Sequence, residues 1–214
     1  LATRIAEHLR THEEYLPTGE RLTDHRFQMA GHYLGGRWRE RGLHYFLETA
    51  FAEGDDRLSD QFLSSMSSEV SFLANPLYAL MHETIYADGP ADGTLPGIAG
   101  YELSPSPAPT NWAAARVAAQ RPEFSPEADT LFFTGEHIFP WYYEEDPALH
   151  PLADVAQILA EKKDWGRLYD HEQLHRNEVP VVAAAYNPDI YVDFENSMET
   201  ARWVGNTQVW TSKT

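Results

Sequence analysis

No apolar stretch in this chain runs longer than Val179 to Tyr186 (VPVVAAAY). That is far short of the roughly 20 apolar residues a membrane-spanning helix needs. It is the length of a buried strand, and its surroundings alternate. Thr130 to Thr134 (TLFFT) reads as a strand, Leu149 to Glu161 as a helix, Val179 to Tyr186 as a strand and Ser197 to Val204 as a helix. Val209 and Trp210 begin another strand. Strands alternating with helices predict a parallel sheet.

The first 87 residues carry a different period. Ile5, Leu9 and Leu16 form a loose apolar stripe, and Thr23 with Asp24 can cap a helix starting near His25. Phe27, Ala30, Tyr33 and Leu34 follow at helical spacing, and Leu43, Phe46, Leu47, Ala50 and Phe51 make a second amphipathic face. Two further helices are expected over 58–74 and 76–86, the second opened by Pro76, whose missing N–H does no harm there. The Gly-, Pro- and Ser-rich stretch 88–110 reads as a long surface loop, and helix resumes over 111–120. A helical module joined to a parallel α/β sheet is the expected organisation. So few strands would leave an exposed edge and a half-covered face, so either another chain or more of this protein is expected to complete the sheet.

At 214 residues the chain is long enough to bury a sizeable core, and a 43% hydrophobic fraction is that of a globular protein. The net charge of −17 excludes a phosphate-binding surface, so no nucleic-acid partner is expected. An acidic field instead attracts cations, including peptides with a free amino terminus, although it also serves solubility. With no cysteine, disulfides, thiol nucleophiles and thiolate metal sites are excluded. No basic segment followed by an apolar one opens the sequence, and the expectation is a cytoplasmic protein with no membrane partner.

In VPVVAAAYNPDIYVDFENSMETA, residues 179–201, the strand delivers Asp189 at its carboxyl end, where open α/β sheets gather functional groups. Asp193 is a competing acid, and a turn or cap role for Asp189 is the structural alternative. Two other patches stand out: HETIYADG (82–89) and FFTGEHIFPWYYEEDP (132–147). Together with RIAEHL, RLTDHRFQ and GLHYFLETAF, these stretches resemble the prolyl aminopeptidase (proline iminopeptidase) family of α/β-hydrolases, in patches from Arg4 to Trp210.

The resemblance implies an α/β fold: a partial α/β-hydrolase core with a mostly helical cap domain, 1–125 being the cap and 126–214 the C-terminal part of the core. It implies a serine-type aminopeptidase releasing N-terminal proline from peptides. Asp189 would be the catalytic acid. Glu83 and Glu136 would hold the substrate's ammonium by charge-assisted hydrogen bonds. Phe139, Trp141 and Tyr142 would enclose the proline ring. No cofactor or metal is implied. The sequence has no G-x-S-x-G elbow, and its ten histidines all precede Asp189, the reverse of the order this fold uses. The nucleophilic Ser and the catalytic His are therefore expected outside this chain, in a missing N-terminal half or a complementary chain, and this chain alone is expected to be inactive.

Two rival readings remain. His171-Glu172-Gln173-Leu174-His175 is H-E-x-x-H, which on a helix can bind Zn²⁺ through its two histidines with the Glu as base and Glu195 as a further ligand. The charged residues Arg176 and Glu178 and the nearby Pro180 make that helix short and polar, unlike a zinc-peptidase helix. A hydrolase-derived module that binds without catalysing is the other.

Overall fold

A computed structural model describes residues 1–35, 39–52, 56–88 and 109–213. The chain divides into two compact units, Leu1–Thr84 with Asn111–Ala160, and Ile85–Thr110 with Glu161–Thr214.

The first unit is helical. Helix α1, Ala2–Thr11, buries Ile5 and Leu9 one turn apart. Helix α2, Asp24–Gln28, starts where the sequence predicts, with the Thr23 side chain accepting the Arg26 N–H. Helix α3, Arg39–Glu48, turns Leu43 and Leu47 inward. Helix α4, Asp60–Val70, is capped by Ser59, and α5, Pro76–Met81, carries its proline in the first turn and runs on into a 3-10 turn, His82–Tyr86. After residue 110 come α6, Ala113–Ala118, the single turn α7, Tyr142–Glu145, and α8, Ala153–Glu161. The core gathers Ile5, Leu9, Leu22, Phe27, Phe62 and Met66 from the first stretch with Leu131, Ile138 and Leu149 from the second. Residues 126–160, which the sequence grouped with the late core, thus pack against the helical stretch.

The strand expected at Thr130–Thr134 does not form. Its aromatic and β-branched residues suit a strand, but a strand needs a ladder partner. Here Gln28 satisfies the segment instead. Its Nε2 donates to the Phe132 carbonyl (2.8 Å), and its own carbonyl accepts the Thr134 N–H (3.1 Å). Gly31 is what allows the two backbones to meet. A Cβ there would lie 1.8 Å from the Thr134 oxygen and 2.7 Å from the Phe133 Cβ. Because the obstacle is backbone, Gly31→Ala is expected to destabilise this unit by about 3 kcal/mol, read as a lowered urea midpoint. An unchanged midpoint would show that the segment can move aside.

The second unit holds the sheet. Strands β1, Val181–Tyr186, and β2, Thr207–Ser212, pair in parallel, with Val181 opposite Thr207 and Tyr186 opposite Ser212. Helix α10, Phe194–Trp203, makes the crossover, and a short helix α9, His171–His175, precedes β1. Alternation along the pleat puts Val182, Ala184, Tyr186 and Trp210 on one face. That face is open: Val182 is 76% and Trp210 60% exposed. The long loop expected over 88–110 lies, from 89 to 108, outside the described residues. Among the described residues no helix is long and apolar enough to cross a membrane.

Candidate functional site

Five of the six proposed site residues fall in the helical unit, and Asp189 in the sheet unit.

Glu83 sits in the 3-10 turn after α5 and is only 2% exposed. Both of its carboxylate oxygens lie 3.3 Å from the Ala113 amide, the first N–H of α6. Trp112, just before, has φ +59°, a left-handed conformation a bulky residue rarely takes. Its indole Nε1 donates to Gln157 (2.9 Å) and its ring lies 5.6 Å from Tyr143. The Glu83 carboxylate therefore does part of the capping that the Trp112 side chain cannot. Burial, and then the Glu83 charge, push the Tyr143 hydroxyl above its ordinary range, so it stays protonated beside that carboxylate. An ammonium is a stronger donor to such a carboxylate than a backbone amide is.

Glu136 is exposed and accepts a hydrogen bond from the Tyr78 hydroxyl at 3.4 Å. Through Tyr78 it joins a continuous aromatic assembly. Tyr78 stacks with Phe72 (6.4 Å), Phe72 contacts Tyr142 (5.7 Å), and Tyr142 meets Trp141 edge-on (4.1 Å) and Phe139 at 5.9 Å. Trp141 and Phe139 stack at 5.6 Å. The structure thus brings Phe139, Trp141 and Tyr142 together and connects them to Glu136. Phe139 and Tyr142 are buried, while Trp141 keeps an accessible part. Tyr78 contributes a ring from 58 residues upstream of Glu136, and nothing in the sequence marked it. Its neighbour His82, 5.3 Å away ring to ring, has its pKa pushed down to about 4, by burial and then by the charge of His137. At neutral pH it is uncharged and does not offset the carboxylates.

Asp189 stands just past the carboxyl end of β1, half-buried. Its Oδ1 accepts the amides of Tyr191 (2.8 Å) and Val192 (3.3 Å), which fixes the carboxylate at the turn. Asp193 is differently used: it caps α10, accepting the Asn196 N–H at 2.9 Å. Of the two candidate acids, one is committed to a helix cap.

Two curated proteins match along nearly the whole chain. A proline iminopeptidase of Aeromonas sobria is 39% identical over 211 residues, covering 98% of this chain and 45% of that protein. A proline iminopeptidase of Aspergillus aculeatus is 31% identical over 211 residues, 96% of this chain and 42% of that protein. Over nearly its whole length this chain is similar to proline iminopeptidases. It spans less than half the length of these two relatives. No protein-family model matches it.

The family's members are α/β-hydrolases, a fold class with which the mixed helix and parallel strand pairing agree. The H-E-x-x-H stretch is the helix α9, five residues long and capped by Asp170. His171 is buried against the Trp203 ring (5.0 Å) and its Nε2 lies 3.8 Å from Asp88, while His175 is exposed. Among the described residues no three His, Cys, Asp or Glu side chains gather as a metal site.

Proposed function

We propose that this chain is the cap and late-core portion of a serine aminopeptidase that releases N-terminal proline from peptides. The observation that carries the reading is near-complete coverage of the chain by a protein named as a proline iminopeptidase. The linkage of Glu136 to the Phe139–Trp141–Tyr142 assembly supports it, because proline recognition needs a carboxylate for the amine beside an apolar wall for the ring.

In this reading a Ser and a His outside the chain carry the covalent chemistry. The Ser oxygen attacks the proline carbonyl, and the His takes its proton and returns it to the leaving amine. Asp189 orients that His and stabilises its imidazolium without itself taking the proton. The two N–H groups on Asp189 Oδ1 hold the carboxylate in one orientation. Glu83 and Glu136 bind the substrate ammonium, and Phe139, Trp141 and Tyr142 bury the pyrrolidine ring. The missing N-terminal half, or a chain that supplies it, covers the open sheet face of Val182 and Trp210.

The reading is tested by measuring the intact mass of the natural protein and the release of a chromogenic amine from proline amide in one sample. A mass well above 24.3 kDa, or a co-purifying chain, together with activity is the expected result. A 24.3 kDa protein without a partner or activity would refute the peptidase reading in favour of a binding module. Activity lost to a zinc chelator would revive the α9 histidines. Within the complete enzyme, Glu136→Gln is expected to raise KM for free-amine proline substrates about tenfold, the range of one hydrogen bond to a charged group. It should narrow their advantage over N-blocked ones. If that advantage is unchanged, Glu136 does not recognise the amine.

A further inference from the structure

The proline-pocket reading leaves unexplained why Trp141, its least buried aromatic, has a charged neighbour. His25 is the second residue of α2, and its ring lies 4.2 Å from the Trp141 ring, edge-on at 66°. Both ring nitrogens face carboxylates. Nε2 is 2.5 Å from Glu145 Oε1 and Nδ1 is 3.5 Å from Asp24 Oδ1. The carboxylates are themselves held. Thr23 Oγ1 donates to the other Glu145 oxygen (2.8 Å), the Asp24 Oδ1 also accepts the His25 amide (2.9 Å), and Arg10 approaches Asp24 Oδ2 (3.9 Å). Arg26 reaches the Glu145 carbonyl at 3.5 Å. Nε2 is at hydrogen-bond distance from Glu145 and Nδ1 at ion-pair distance from Asp24, and two anions flanking one imidazole favour the imidazolium. A cation against an indole is attracted by the ring's electrons. Glu145 lies one helical turn after Trp141, so the same short segment supplies both the ring and one of the anions.

We propose that His25 is a positioning residue for the substrate pocket: clamped as an imidazolium between Asp24 and Glu145, it holds the Trp141 indole in the orientation that walls the proline site. This rests on the pocket reading above. Burial works against the charged form, but the hydrogen bonds and charges of Asp24 and Glu145 outweigh it, and the His25 pKa is pushed up to about 9. A raised pKa means that the clamp is complete below the ordinary His value near 6.5 and is lost as pH rises through about 9.

The test has two readouts. In this chain, the tryptophan emission of wild type minus Trp141→Phe isolates Trp141. It should titrate with a midpoint near pH 9, because an imidazolium quenches an adjacent indole. His25→Gln should abolish that titration, and Glu145→Gln should move it to lower pH, a second variant that retains the ring. In the complete enzyme, His25→Gln should raise KM for a proline amide about tenfold and leave kcat within about twofold, the signature of lost binding. A titration that persists in His25→Gln, or an unchanged KM where Trp141→Phe raises it, overturns the inference. If Trp141→Phe itself leaves KM unchanged, the pocket reading falls and takes the substrate role of His25 with it, while the emission still decides whether the clamp exists.

Discussion

Asp189→Asn in the complete enzyme is expected to lower kcat about 10⁴-fold, the loss that follows when a triad acid can no longer hold its imidazole in the working tautomer. The backbone should tolerate the change. The Asn side-chain oxygen can still accept the Tyr191 and Val192 amides that Asp189 accepts now, so the turn after β1 survives. The comparison that gives the result meaning is Asp193→Asn. Asparagine caps a helix nearly as well as aspartate, so that variant should remain stable and keep its kcat within about tenfold. Rates for the two variants, with KM measured beside kcat, separate the roles. A loss below tenfold at Asp189 would move the catalytic acid elsewhere, and a 10⁴-fold loss at Asp193 would move it there.

Arg26→Leu is expected to destabilise the helical unit by about 3–5 kcal/mol, the range for removing one partner of a buried ion pair. Arg26 is only 1% exposed. Its Nη2 lies 3.5 Å from Glu20 Oε1 and 3.8 Å from Asp146 Oδ2, and donates to the Val70 carbonyl at 3.5 Å. Asp146 is buried as well and accepts the amides of Phe72 (2.8 Å) and Ala148 (2.9 Å). One oxygen of Glu20 is buried without a hydrogen-bond partner, so that carboxylate already leans on the arginine's charge. Leucine has suitable bulk, so the loss is electrostatic: two carboxylates remain in an apolar interior with no cation. Urea denaturation of the chain, with Arg26→Lys in parallel, checks this. Lysine should recover part of the loss by restoring the charge without the fork. An unchanged midpoint for Arg26→Leu would mean that water, and not Arg26, compensates the acids.

Much of the local structure was legible in the sequence. The Thr23 cap, the proline that opens α5, and two strands with a helix between them, expected over 179–186 and from Val209 and found over 181–186 and 207–212, follow from hydrophobic period and capping chemistry, which act over a few residues. The TLFFT segment shows where such reasoning stops. Its side chains favour a strand, yet strand formation depends on a partner, and Gln28, a hundred residues upstream, takes the hydrogen bonds a partner would have taken. The boundary drawn at 125/126 rested on where strand-like patterns begin, whereas the compact units depend on which apolar surfaces meet. Leu131, Ile138 and Leu149 bury against the helices that precede them by many turns.

The site divides in the same way. The sequence by itself carried the resemblance to proline iminopeptidases, and it placed an Asp just after a strand and an aromatic run from Phe139 to Tyr142, because residue types in a fixed order carry that information. Only the tertiary structure decided that Asp193 is occupied in capping α10, that Glu83 lies buried at the start of α6, and that Tyr78 connects Glu136 to the aromatic rings. It also decided that His25, which in sequence merely begins a helix, lies between two carboxylates against Trp141. These are contacts between residues up to 120 positions apart. The physical reason is range: caps and hydrophobic periods are set by neighbours along the chain, while burial, charge pairing and ring contacts are set by whichever distant segments the core draws together.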